Sequence, residues 1–294
     1  MIFVLLLIGA IVAVVIKANK KSTNISQAPS VTSTASRPIL PTKKTFVTPG
    51  GKTWDLFTDM LEQPHLLIAG ATGSGKSVII NGLIDTIMHR LPFDQERTDG
   101  HDGAQLILID PKRVELISYK SLPHTILYAS EPKDMLSALQ YALDITEKRY
   151  TQMQQRRQKK YSGGDVYVVI DEWADLMTTQ GKLVVPVVQR LAQIGRAARV
   201  HIIMATQTPI SEVLPTKIKC NFDARVGLRA RSAQDSRNII GKPGLENLPR
   251  YGEGYYMKPG DESFWDIPYV RDEEIDRDIA WWDSQTCRRS LAVA

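Results

Sequence analysis

The chain has 294 residues, 43% of them apolar, and a formal charge of +5. That suffices for one substantial core, excludes a disordered polyelectrolyte and, with the two ends set aside, argues against two full domains. Its two cysteines, Cys220 and Cys287, show neither CxxC nor metal-ligand spacing, which excludes a disulfide scaffold and fits a reducing compartment.

Residues 1–21 open on an unbroken apolar run, Ile2 to Ile16, followed by Lys17, Lys20 and Lys21. No Lys or Arg precedes the run, so an uncleaved transmembrane anchor is preferred over the alternatives, a cleaved secretory leader or an interfacial helix. The run is barely long enough for the ~17–25 residues that a span needs, and the lysines after it place the following chain in the cytoplasm. Residues 22–51, rich in Ser, Thr and Pro, read as a flexible tether. From residue 52 to 275 short apolar runs alternate with helical stretches. Strands are expected at His65–Ala69, Gln105–Ile109, Thr125–Tyr128, Val166–Ile170, Val200–Ala205 and Ala224–Leu228. The best helix runs from Pro132 to about Gln158, with Ser130 as its N-cap and Met135, Leu136, Leu139, Leu143, Thr146, Tyr150 and Met153 on one face. This alternation predicts an α/β fold with a mostly parallel sheet covered on both faces. Residues 276–294 read as a C-terminal tail.

The segment Gly70-Ala71-Thr72-Gly73-Ser74-Gly75-Lys76-Ser77 matches the phosphate-binding loop pattern in full, between a strand and a helix. Its glycines let successive N–H groups converge on phosphate oxygens, and the helix N-terminus adds its positive dipole end. Lys76 is expected on the β- and γ-phosphates and the Ser77 hydroxyl on Mg²⁺. In VYVVIDE, Asp171 and Glu172 end an apolar strand. Asp171 is the expected partner of Mg²⁺, and Glu172 the group that polarises an attacking water. Gln207, ending another strand, is a candidate sensor of the γ-phosphate or else a strand-end cap. Arg196 does not fit the same subunit's site and reads as a finger acting in trans or as a surface arginine. Asp110 and Lys112 follow a strand at the same sheet edge.

Between Arg190 and Arg237, nine Lys/Arg face only Glu212, Asp223 and Asp235, and Lys148, Arg149, Arg156, Arg157, Lys159 and Lys160 form a second cluster. Such blocks suit a polyanion or a solvated face. The pairs Trp281–Trp282 and Tyr255–Tyr256 read as core or interface residues, and no helix reads as one that would enter a DNA groove.

The blocks HLLIAGATGSGKSVIIN, LIDPKRVELISY, ALDITEKRYTQM, VVIDEWADLM, RLAQIGRAARVHIIMATQTP and DSRNIIG…LPRYGEGYY resemble, in this order, those of the FtsK/SpoIIIE family of DNA translocases. The resemblance implies a RecA-like P-loop NTPase motor domain over residues 52–275, hydrolysing ATP with Mg²⁺. It further implies a homohexameric ring around double-stranded DNA, held without sequence specificity. It gives Lys76, Ser77, Asp171 and Glu172 the roles above, makes Arg196 the finger for the neighbouring protomer and Gln207 the sensor. Thr208 stands where the family usually has Arg. One apolar segment, and no winged-helix module after the motor, lead to the expectation of a reduced, single-anchor relative from a conjugative element, plasmid or phage. It would sit in a bacterial cell membrane and work with transfer or secretion machinery; a protein-secretion ATPase and a phage DNA-packaging ATPase are the alternatives.

Overall fold

The computed structural model describes residues 46–47, 53–54, 56–91, 103–267 and 271–292. The expected anchor lies outside them, as does the tether apart from residues 46–47. Among the described residues, no helix is long and apolar enough to cross a membrane. In chain order the elements are β1 (Phe46–Val47), β2 (Thr53–Trp54), α1 (Leu56–Glu62), β3 (His65–Ala69), α2 (Lys76–Arg90), β4 (Gln105–Ile109), β5 (Thr125–Ala129) and α3 (Pro132–Gln155). There follow β6 (Val166–Ile170), α4 (Trp173–Ala198), β7 (Val200–Thr206), α5 (Thr216–Lys219), β8 (Ala224–Gly227), α6 (Ala233–Ile240), β9 (Glu253–Lys258), β10 (Asp261–Asp266) and α7 (Asp272–Ala292).

All six expected strands form, and they join into one sheet of order β2-β1-β10-β9-β8-β3-β7-β6-β4-β5. From β8 to β5 every pairing is parallel. The remaining strands add an antiparallel edge that the sequence reading did not foresee. Burial explains why the central strands are continuous apolar runs: every residue of β3, β6 and β7 is buried. Side chains alternate between faces. Leu66, Ile68, Tyr167, Val169, Ile203 and Ala205 pack with α2, whereas Leu67, Val168, Ile170, Ile202 and Met204 pack with α3 and α4.

Helix α3 ends at Gln155, near the expected Gln158, but its N-cap is Glu131 and not Ser130. Pro132 opens the helix and drives its predecessor out of the helical region, which moves the boundary by one residue. The predicted apolar face is buried at Met135, Leu139, Thr146 and Met153 and packs half-buried against the core at Leu136, Leu143 and Tyr150; Arg149 is also buried on it. The Arg149 guanidinium donates to the carbonyls of Ala198 (2.8 Å) and Arg199 (3.2 Å) and lies over the Tyr161 ring. Other cations of the basic blocks also have partners within the chain, at the surface for Arg190 and half-buried for Arg225. Arg190 pairs with Glu147, and Arg225 donates to the carbonyls of Phe222, Ile239 and Lys219. Arg149 and Arg225 are thus drawn away from any polyanion, whereas Arg190, Arg196, Lys217, Arg229, Arg231, Arg237 and the rest of the second cluster stay exposed.

Residues from 276 onward begin inside α7, whose Ile275 and Trp282 are buried against the core. His89 of α2 faces Asp85 (3.3 Å) and Asp278 of α7 (3.1 Å), fastening the two helices together. Tyr255, Tyr256 and Trp282 are buried, as read from the sequence, with Trp281 partly so.

At the N-terminal end of the parallel strands, Asp165 accepts hydrogen bonds from His201 Nε2 (2.9 Å) and Arg199 Nε (2.9 Å) and a second one from Arg199. Burial alone would raise the Asp165 carboxyl, but the His201 and Arg199 hydrogen bonds outweigh it and bring the pKa to about 2. A depressed carboxylate contributes stability above the ordinary carboxylate range and loses it as pH falls towards about 2. Asp165→Asn is thus expected to cost about 2 kcal/mol. Denaturant unfolding should show a gap from wild type that is constant between about pH 8 and 5 and narrows below about pH 4. A gap unchanged on acidification would contradict this origin of the stability.

Candidate functional site

The topology brings together what the sequence spaces far apart. Strand β7 lies between β3, which leads into the phosphate loop, and β6, which leads into Asp171 and Glu172. All three are parallel, so the loops leaving their C-terminal ends meet at one sheet edge, where open α/β sheets bind ligands.

The phosphate loop is shaped by close approach and by backbone sign. A Cβ on Gly70 would lie 2.6 Å from Leu228 Cβ and 2.8 Å from Ser74 Oγ, so no larger residue fits there. Gly75, at φ 101°, takes the left-handed conformation that turns the loop into α2. Lys76 is buried, and its Nζ donates to the carbonyls of Gly70 (2.8 Å) and Ala71 (2.9 Å). Burial pulls its pKa down to about 8, against the upward pull of Glu172 and Asp171.

Glu172 is the N-cap of α4, and its Oε1 accepts from Ala174 N (3.4 Å) and Gln207 N (3.1 Å). The Oε2 atom accepts from Lys112 Nζ at 3.3 Å. The Gln207 side chain in turn accepts a 2.6 Å hydrogen bond from Thr72 of the phosphate loop through its Oε1. Thr72, Gln207 and Glu172 thus form one chain of contacts across β3, β7 and β6. Thr208 folds back on Thr206, its N donating to Oγ1 at 3.2 Å.

A cleft of about 420 Å³ is lined by Thr72, Gly75, Lys76, Ser77, Lys112 and Asp171, among others, a volume suited to a nucleotide. Asp171 is buried, and its pKa rises to about 7, first from burial and then from the neighbouring carboxylates Glu115 and Asp110. A hydroxyl and a carboxylate on one cleft, in a field of crowded negative charge, are the hard oxygen donors that Mg²⁺ takes.

Lys112, whose chemistry the sequence left open, belongs to the site through Glu172. Asp110 does not bind there directly: its Oδ2 accepts from Leu116 N (3.0 Å) and Tyr128 Oη (3.2 Å), holding the loop that presents Lys112. Arg196 is exposed on the last turn of α4. Because α4 runs antiparallel to the strands beneath it, Arg196 lies at the opposite sheet edge, roughly 20 Å along the strands from its own cleft. Sequence reasoning missed Glu115, Tyr251, Gly252 and Ile267, which also line the cleft.

The family model described as FtsK/SpoIIIE family matches residues 47–167 and 164–211. A DNA translocase FtsK from Rhizobium meliloti is 35% identical over 80% of this chain and 31% of its own length. One from Treponema pallidum is 39% identical over 76% of this chain and 29% of its own. The chain thus spans about a third of the length of these relatives. Among solved structures, the pCW3 conjugation coupling protein TcpA, as a monomer with ATPγS, superposes with a TM-score of 0.66 at 23% identity. That alignment covers 82% of this chain and 70% of TcpA, a likeness of fold.

Proposed function

The chain belongs to the FtsK/SpoIIIE family, and from that premise we propose that it is a membrane-anchored, ATP-driven translocase of double-stranded DNA with a RecA-like motor domain acting as a homohexamer. The observation that carries this reading is the Thr72–Gln207–Glu172 chain, which ties the phosphate loop to the hydrolytic carboxylate through a third strand. Binding and cleavage of the γ-phosphate can therefore be relayed to β7 and α4.

In this reading the loop N–H groups and Lys76 hold the β- and γ-phosphates, Lys76 exchanging its carbonyl partners for phosphate oxygens. Ser77 and Asp171 would hold Mg²⁺, which would supply charge neutralisation on those oxygens. Glu172, fixed by Gln207 N, Ala174 N and Lys112, orients and deprotonates the attacking water. Helix α4 carries Glu172 at its N-cap and Arg196 in its last turn, so it links one protomer's cleft to the finger offered to the next. Lysines following Ile2–Ile16 support a single-pass anchor in a bacterial cell membrane, with the motor in the cytoplasm beside transfer or secretion machinery.

The test is phosphate release by the assembled chain with and without duplex DNA. Duplex of any sequence is expected to raise the rate several-fold, and raising salt from about 50 to about 200 mM should erase the effect through counterion release. A rate indifferent to duplex at every salt concentration, or raised by a secreted peptide instead, would overturn the DNA assignment.

A further inference from the structure

Besides the phosphate loop, Lys112 and Asp171, the cleft is lined by Val78, Tyr251, Gly252 and Ile267. Tyr251 is 63% exposed there, whereas Tyr255 and Tyr256 a few residues on are buried. A large ring left to water at a cleft mouth makes physical sense when a flat partner covers it. Gly252, at φ 87°, turns the chain behind Tyr251, and its carbonyl accepts from Ile267 N at 2.8 Å. That bond fixes Tyr251 and Ile267 beside the same mouth. Arg250 bridges Tyr251 and the phosphate loop. Its guanidinium lies over the Tyr251 ring, 5.2 Å from the centroid, and a Cβ built on Gly73 of the phosphate loop would come within 3.1 Å of its Nη2.

Resting on the reading of the cleft as a nucleoside triphosphate site, we infer that Tyr251 is the stacking platform for a purine base. Val78 and Ile267 are the apolar walls, and Arg250 locks the platform to the phosphate loop. With the phosphates on the loop, the base would meet the part of the lining made by Val78, Tyr251 and Ile267. Recognition by stacking favours the larger ring system of a purine over a pyrimidine and separates the two purines little, because every base presents a π-face.

Titration calorimetry on the full 294-residue chain tests this with ATP, GTP, CTP and inorganic tripolyphosphate as probes. Tyr251→Ala is expected to weaken ATP and GTP about tenfold, on the scale of one lost base–aromatic stack. It should leave tripolyphosphate unchanged, while Tyr251→Phe keeps wild-type affinity. Unchanged ATP affinity in Tyr251→Ala, or an equal loss for ATP and tripolyphosphate, would overturn the platform. CTP binding as tightly as ATP to the wild type would overturn the purine preference. Wild type binding neither ATP nor tripolyphosphate would instead sink the underlying reading of the cleft.

Discussion

Lys76→Ala is expected to abolish ATP turnover by the assembled chain, with kcat falling at least about 10²- to 10³-fold, the scale for removing a preorganised electrostatic group. The amine is buried within hydrogen-bonding distance of two loop carbonyls, and burial has already brought its pKa to about 8. An ammonium held with so little water around it gains most from an incoming polyanion, so its loss removes phosphate affinity together with transition-state stabilisation. Lys76→Arg should not rescue, because a planar fork replaces a compact point charge inside the loop. Phosphate release and nucleotide binding measured on the same preparation check both. Turnover within twofold of wild type in Lys76→Ala would remove Lys76 from the site, and in Lys76→Arg it would overturn the need for a compact point charge.

Arg196→Ala is expected to lower kcat by about 10³-fold, the low end for an arginine finger, while leaving nucleotide affinity as it was. The affinity is untouched because Arg196 is exposed at the sheet edge remote from its own cleft. Mixing supplies the discriminating readout. Glu172→Gln alone should also be inactive, since Glu172 is the carboxylate tied to Gln207 and Lys112. In mixed assemblies an Arg196→Ala subunit keeps its Glu172 and borrows Arg196 from a Glu172→Gln neighbour, so activity returns at intermediate ratios. Absence of recovery at every ratio would show that Arg196 does not act across subunits.

The central half of the fold was legible because each parallel strand is a contiguous apolar run, and each catalytic motif sits immediately after one. The phosphate loop and the Asp171–Glu172 pair are local sequence patterns, so their meeting at one edge needed only parallel strands. The antiparallel edge was missed for a different reason. β1 and β2 have two residues each, too short for any period to show. The β9–β10 hairpin did carry a signal: Pro259–Gly260 stands between two strand-like runs, with Lys258 paired to Asp261 and Gly260 at φ 79°. Charge was readable only in part: most of the two basic blocks stays exposed. Arg149 and Arg225 sit in basic blocks, yet their guanidinia satisfy backbone carbonyls, a use set by tertiary contacts alone. Lys112 and Tyr251 join the cleft from loops whose direction no periodicity encodes.

The most direct measurement is ATP-driven displacement of a third strand from the far end of a long duplex by the full chain. A translocating ring predicts displacement that requires ATP, disappears with Lys76→Ala and begins later as the duplex is lengthened. ATP hydrolysis at full rate with no displacement, or displacement whose onset ignores duplex length, would contradict a motor that moves along DNA.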